Sequence, residues 1–172
     1  WADLAAGRQK TGRFHRVGKG GQEVWMAPGV CPRCGSRGQP VAWRTVAALT
    51  NVALPPRQNF WPCRDADCDV VYFGDAGSCL GLSDLRVEPG FKASSKERLV
   101  CYCFLYRQVD IETELRQTSK STLLDRIQEE VEARHCACDV RHPTGRCCLR
   151  EVREETARIR EALFGKGSEL RD

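Results

Sequence analysis

No stretch of this 172-residue chain is long and apolar enough to cross a bilayer. The longest uncharged run, Thr45 to Pro56, falls well short of the roughly 20 residues a spanning helix needs. No segment reads as a secretory signal, so a reducing, cytoplasmic location is expected. Charge of one sign is not in excess either. Against 27 Lys and Arg stand 23 Asp and Glu, and the net charge of +4 argues for no particular partner. Phosphate loops are missing: Lys19 in "GKGG" lacks the Walker spacing and the following helix. Neither a Ser–His–Asp set, nor a carboxylate pair, nor a flavin or nicotinamide loop can be argued, so the chain is not expected to be an enzyme by itself. The hydrophobic set is 41% with Cys included. Without the cysteines it is thin for a well-cored domain, and something besides apolar burial must hold the chain together.

What is present in quantity is cysteine, eleven in all. An odd number leaves a thiol over in any disulfide-only framework. In a reducing compartment such residues serve metals or catalysis more often than they form staples.

The chain divides by composition. Residues 1–29 are basic and Gly-rich, with Arg8, Lys10, Arg13, Arg16 and Lys19; "GKGGQ" is a turn, and the segment is either a hairpin of "RFHRV" with "EVWMA" or an extended tail. Residues 30–83 predict a small β-rich module: "NFWPC" and "DVVYF" have strand composition, and "PVAWRTVAAL" shows no clean helical spacing. Residues 84–99, polar with a Pro-Gly turn, predict a linker. Residues 100–165 predict helices. One follows Asp110 as N-cap with Ile111 and Leu115 inward; one spans Ser121 to Arg134; one spans Cys148 to Phe164 with Leu149, Val152, Ile159 and Leu163 in a stripe and Gly165 as its stop. Residues 166–172 predict a fraying tail. The fold class is therefore α+β, a small metal-bound β-rich module followed by a helical one.

Two sets of cysteines stand apart. "CPRCG" gives Cys31 and Cys34 at C-x2-C with a Gly for the tight turn, and Cys63 and Cys68 follow at C-x4-C. Four soft thiolates suit one tetrahedral zinc, which would hold a module with little core of its own. Buried structural cysteines or two disulfides are the alternatives. Asp65, Asp67 and Asp69 read as solvated loop charges, although one could replace a thiolate. The second set starts with "CYC", Cys101 and Cys103, too tight for an unstrained disulfide and suited to two thiolates on one iron. Its partners must come from Cys136, Cys138, Cys147 and Cys148, since a [2Fe–2S] cluster takes four cysteines.

The ordered set "CPRC", "CRDADCDVVYF", "VCYC" and "CDVRHPTGRCC" is similar to the zinc- and [2Fe–2S]-containing N-terminal domain of CopZ-type copper chaperones. Its later part resembles the [2Fe–2S] module of bacterioferritin-associated ferredoxins. The resemblance runs from Cys31 to about Val152. It implies cluster ligation by Cys101, Cys103, Cys138 and Cys147, with Cys136 extra and Cys148 packing nearby. It also implies that Gly145 lets the backbone approach the cluster. The resemblance stops at the copper-binding domain of that family: its M-x-C-x-x-C loop has no counterpart, and the one methionine, Met26, lies outside such a motif.

Three readings follow. The first is an electron carrier with a [2Fe–2S] cluster and a structural zinc, serving metal handling beside a copper chaperone. The second is an electron-transfer accessory subunit of an oxidoreductase, with that enzyme as its redox partner protein. The third is a zinc-only scaffold or nucleic-acid-binding protein, which the scattered basic residues and "VCYC" do not favour. Cys79 is expected to be a buried or idle thiol, His15, His135 and His142 solvated, and Trp25, Trp43, Trp61 and Tyr72 core or strand residues.

Overall fold

The structure is a computed structural model that describes residues 15–17, 23–25, 28–56 and 58–165. Strands β1 (His15–Val17) and β2 (Glu23–Trp25) pair antiparallel. The expected turn "GKGGQ", the fraying tail and most of the basic segment lie outside the described residues.

The first half is built on a three-stranded antiparallel sheet of β3 (Phe60–Pro62), β4 (Tyr72–Gly74) and β5 (Cys79–Leu80), in that order. Alternation sorts its residues: Phe60, Tyr72 and Leu80 face one core with Val41, Val46 and Val71, while Trp61 stacks on Phe73 at 5.9 Å beside the first cysteines. Here the expectation from "PVAWRTVAAL" is corrected. Residues Trp43–Leu49 form helix α1, with Thr45, Val46 and Leu49 buried. Two turns are too short for the 3.6-residue period to stand out, and burial against the sheet and the second half supplies what propensity does not. A 3₁₀ turn, Leu82–Asp84, closes this half.

The second half opens with the hairpin β6 (Leu99–Cys101) and β7 (Tyr106–Arg107). Helices α2 (Gln108–Thr118), α3 (Leu123–Glu132), α4 (Cys138–Arg141) and α5 (Leu149–Phe164) follow. Asp110 is three residues inside α2 rather than at its cap. Its carboxylate reaches back to accept the Arg107 N–H at 2.7 Å, so the chain turns helical earlier than the first apolar residue announces. The core of this half joins Ile111, Leu115, Leu123, Ile127, Val152 and Ile159 to Cys101, Cys103, Cys138 and Cys148. Thiols occupy core positions that a larger domain would give to aliphatic side chains.

The halves are packed together. Helix α1 lies against α4. Thr45 donates its hydroxyl to the Asp139 carbonyl at 2.6 Å, and the buried Tyr72 hydroxyl donates to the Pro143 carbonyl at 2.6 Å. Residues 84–99 form a packed strap between the halves: Pro89 is fully buried, Phe91 packs on the first core, and the Gly90 N–H donates to the Tyr102 hydroxyl at 2.5 Å. Gly145 sits at the same seam with φ +66°, and a Cβ there would come within 3.0 Å of Thr45 Oγ1. Its approach is thus to α1 of the first half. Gly145→Ala is expected to cost about 2 kcal/mol, from the left-handed backbone and the crowded hydroxyl, lowering Tm by about 4–8 °C in a thermal melt.

Candidate metal centres

In the first centre, Cys31 and Cys34 lie on a turn closed by Cys31 N–H to the Ser36 carbonyl and Gly35 N–H to the Cys31 carbonyl, both 2.9 Å. Gly35 takes φ +78°, the conformation that the sequence "CPRCG" calls for. Cys63 leaves β3 and Cys68 ends the loop that follows. Lys92 from the strap ties that loop down, its ammonium donating to the Asp65 and Cys68 carbonyls. The four sulfurs all lie within 4.8 Å of one another, with Cys31 to Cys68 at 3.9 Å and Cys34 to Cys63 at 3.4 Å. Tetrahedral zinc with Zn–S near 2.3 Å needs sulfurs about 3.8 Å apart. Residues 28–86 match the zf_CopZ family model, a zinc binding domain. The match and the four-cysteine geometry together support zinc in this module. Asp65 and Asp69 stay outside the sulfur group: Asp65 accepts the Asp67 N–H at 3.0 Å, and Asp69 pairs with Arg33 at 2.8 Å. No disulfide forms among the described residues.

The zinc-binding module is joined to a further overall likeness. The X-ray structure of the Archaeoglobus fulgidus CopZ N-terminal domain superposes with a TM-score of 0.59 at 24% identity, over 73% of this chain and 95% of that one. At this identity the likeness concerns the fold. A search of the curated proteins gives no match.

Thiol chemistry in the zinc-binding module is uneven. Hydrogen bonding from Ser36 lowers Cys34 to about 7, while burial pushes Cys63 and Cys68 up. Four adjacent thiols cannot all ionise without a cation among them, so a metal entering must displace protons.

The second set of cysteines comes together between β6, the tight turn after it, and the starts of α4 and α5. Cys101 Sγ is 3.3 Å from Cys148 Sγ, and Cys103 Sγ is 3.5 Å from Cys138 Sγ. All four are buried. The C-x-C pair thus meets its nearest sulfurs across the fold, Cys101 with one loop end and Cys103 with the other. Cys147, expected among the four from the resemblance, is exposed, and Cys148 takes the inward place. The reason is helical register. Cys148 is the N-cap of α5 and continues backward the buried series Ile159, Glu155, Val152, whereas Cys147 is one residue out of phase. The apolar stripe legible in the sequence begins at Leu149 and does not choose between Cys147 and Cys148; the packing of α5 does. Cys136 is half-buried beside Cys138.

Backbone donors surround these sulfurs. The Ala137 N–H reaches Cys103 Sγ at 3.3 Å, Cys101 receives N–H groups of Phe104 and Cys103, and Cys138 receives that of Cys148. Hydrogen bonding by the Cys148 thiol brings Cys138 down to about 5 and Cys101 down to about 7. Cys148 itself is raised by the same bonds, to Cys101 first, and burial raises Cys103 to about 12.

His142 corrects the expectation of a surface residue. It is 2% exposed, its Nδ1 2.8 Å from Thr144 Oγ1, its Nε2 3.2 Å from Glu151, and its ring edge-on to Tyr102 at 5.1 Å. Glu151, held below the usual carboxylate range first by His142, also pairs with Arg64, the neighbour of Cys63. Tyr102, His142, Glu151 and Arg64 therefore form a polar link between the two thiol sets. Nothing in local spacing announces it, because its members come from four separate elements. His135 is exposed, as expected, and pairs with Glu130. Cys79 is exposed rather than buried, opposite Phe73 in the sheet.

Proposed function

We propose that this chain is a metal-handling electron-transfer protein, with a structural zinc on Cys31, Cys34, Cys63 and Cys68 and a [2Fe–2S] cluster on Cys101, Cys103, Cys138 and Cys148. The observation that carries the cluster reading is the arrangement of the second thiol set as two close pairs, 3.3 and 3.5 Å, buried together. Among the described residues the first set is the compact group of the kind one zinc takes. The second is an extended run, Cys101 to Cys148 to Cys138 to Cys103, which suits two metal atoms with two thiolates each. The donor set fits: soft sulfur only, shielded from water, with N–H groups aimed at it.

Such a cluster, when bound, supplies uptake and release of one electron. The chain's residues would do the rest. Cys101 and Cys138 already favour the thiolate form that ligation needs. The N–H groups of Ala137, Phe104, Cys103 and Cys148 stabilise negative charge on sulfur and so favour the reduced state. Arg141 holds the turn carrying Cys103 by donating to its carbonyl at 3.2 Å. The resemblance to copper chaperones supports copper as the metal whose handling the chain serves.

Anaerobic isolation tests this. The expected protein is red-brown, with about two iron, two sulfide and one zinc per chain, bleaches with dithionite, and then gives a one-electron paramagnetic signal. Colourless protein holding two or more zinc ions and no sulfide would sink the cluster.

A further inference from the structure

Leu105, two residues after Cys103, is 66% exposed, more than any other large apolar side chain among the described residues. A single exposed leucine is ordinary on a protein surface. This one is also held in left-handed backbone, with φ +60°. Ser119 and Arg134 share that conformation, but they follow helices α2 and α3, where it is the usual stop. Leu105 ends no helix. It is the last residue of the four-residue turn between the paired Cys101 and Tyr106, a place glycine takes freely and leucine takes at a cost. Its neighbours Phe104 and Tyr106 pack against the core, which fixes the turn and leaves Leu105 standing out between them. Neither burial nor backbone preference keeps a leucine there, and such conformations gather at functional sites.

The surroundings of this turn are cationic. Arg141 is exposed and donates to the Cys103 carbonyl at 3.2 Å. It belongs to residues 134–148, a segment joined to the turn by the Ala137 N–H on Cys103 Sγ and by Cys148 Sγ on Cys101 Sγ, both 3.3 Å. The same segment carries Arg134 and Arg146, also exposed. Among the described residues none of these three arginines pairs with a carboxylate. The one acid of the segment, Asp139, is held by Arg44, and Glu130 and Glu132 of α3 are engaged by His135 and Gln128.

We propose that Leu105, with Arg141 beside its turn and Arg134 and Arg146 on the adjoining segment, is the docking point for an electron-transfer protein with an acidic face. The inference rests on the electron-transfer reading above. Leu105 enters an apolar hollow on the partner, and the arginines meet the carboxylates around it and steer the approach. A basic partner is repelled by the same charges. The seated turn is the one that bears Cys101 and Cys103. One electron leaves the reduced cluster and reduces the partner's one-electron centre, and no bond forms or breaks.

The test uses the full chain, isolated anaerobically, with colour and iron content recorded for every variant. Reduced protein is mixed by stopped flow with cytochrome b5, an acidic acceptor, or with ferricyanide, an anion too small to need the leucine. Leu105→Gly should slow reduction of cytochrome b5 by at least about fivefold, the loss expected of an interface residue that carries binding energy, and should change the ferricyanide rate by less than about twofold. Its Tm should fall by no more than about 2 °C, because glycine takes φ +60° freely and no packed side chain is lost. Arg134→Gln with Arg146→Gln should slow cytochrome b5 by about fivefold or more, while Arg37→Gln with Lys120→Gln, which removes equal charge from exposed positions elsewhere, stays within about twofold. Undiminished rates in Leu105→Gly, a larger fall in its Tm or iron content, or equal effects of the two charge pairs would overturn the docking point. A colourless chain would refute the electron-transfer reading and this proposal with it, whereas a coloured chain with unslowed variants would refute the docking point alone.

Discussion

Cys148→Ser is expected to abolish the cluster, while Cys147→Ser leaves it in place. In the first variant iron and sulfide should fall to near zero and the visible bands should vanish. In the second, both should match the unaltered protein. The contrast rests on 3.3 Å between Cys148 and Cys101 against a Cys147 turned to solvent. Serine lacks the soft sulfur that iron requires, and a site that loses one of four ligands keeps three thiols whose charges repel. Spectra and metal analysis of the two variants, purified anaerobically in parallel, decide it. A coloured Cys148→Ser protein beside a colourless Cys147→Ser protein would reverse the assignment.

Cys31→Ser is expected to release zinc and unfold the first half. Structural zinc contributes about 10–16 kcal/mol in small zinc-dependent folds, as much as the entire net stability of a typical domain, about 5–15 kcal/mol. The apolar core around Phe60, Val71 and Tyr72 is small and cannot replace that. The consequence should reach the other half. Thr45 and Tyr72 hold the carbonyls of Asp139 and Pro143, and Arg64 holds Glu151, so the loop from Cys138 to Cys148 loses its support when α1 and the sheet loosen. Cluster loss on exposure to a chelator should therefore be several times faster in Cys31→Ser. Cys103→Ser should lose its cluster and keep its zinc, because the zinc turn is closed by its own backbone bonds. Full zinc retention in Cys31→Ser, measured by metal analysis of the refolded chain, would remove the basis for this asymmetry.

Much of this was written in the chain locally. The doublets Cys31/Cys34 and Cys63/Cys68 declare one metal group by spacing, and the sulfurs meet as expected. Helices α3 and α5 follow from apolar stripes several turns long, and the strands around Trp61 and Tyr72 from β-branched and aromatic content. Helix α1 was not legible, being two turns long and stabilised by what it packs on.

Tertiary structure alone decided the rest. The choice of inward cysteine in "CC" needed the buried face of α5 to be aimed at β6, and those residues are 47 apart in sequence. The burial of His142, the packing of residues 84–99 and the seat of Gly145 against Thr45 likewise depend on the two halves meeting. Periodicity and spacing report which residues share a face or a turn, because those are set by backbone geometry over a few residues. Which face meets which partner is set by burial between distant segments, and that exists only once the chain has closed on itself.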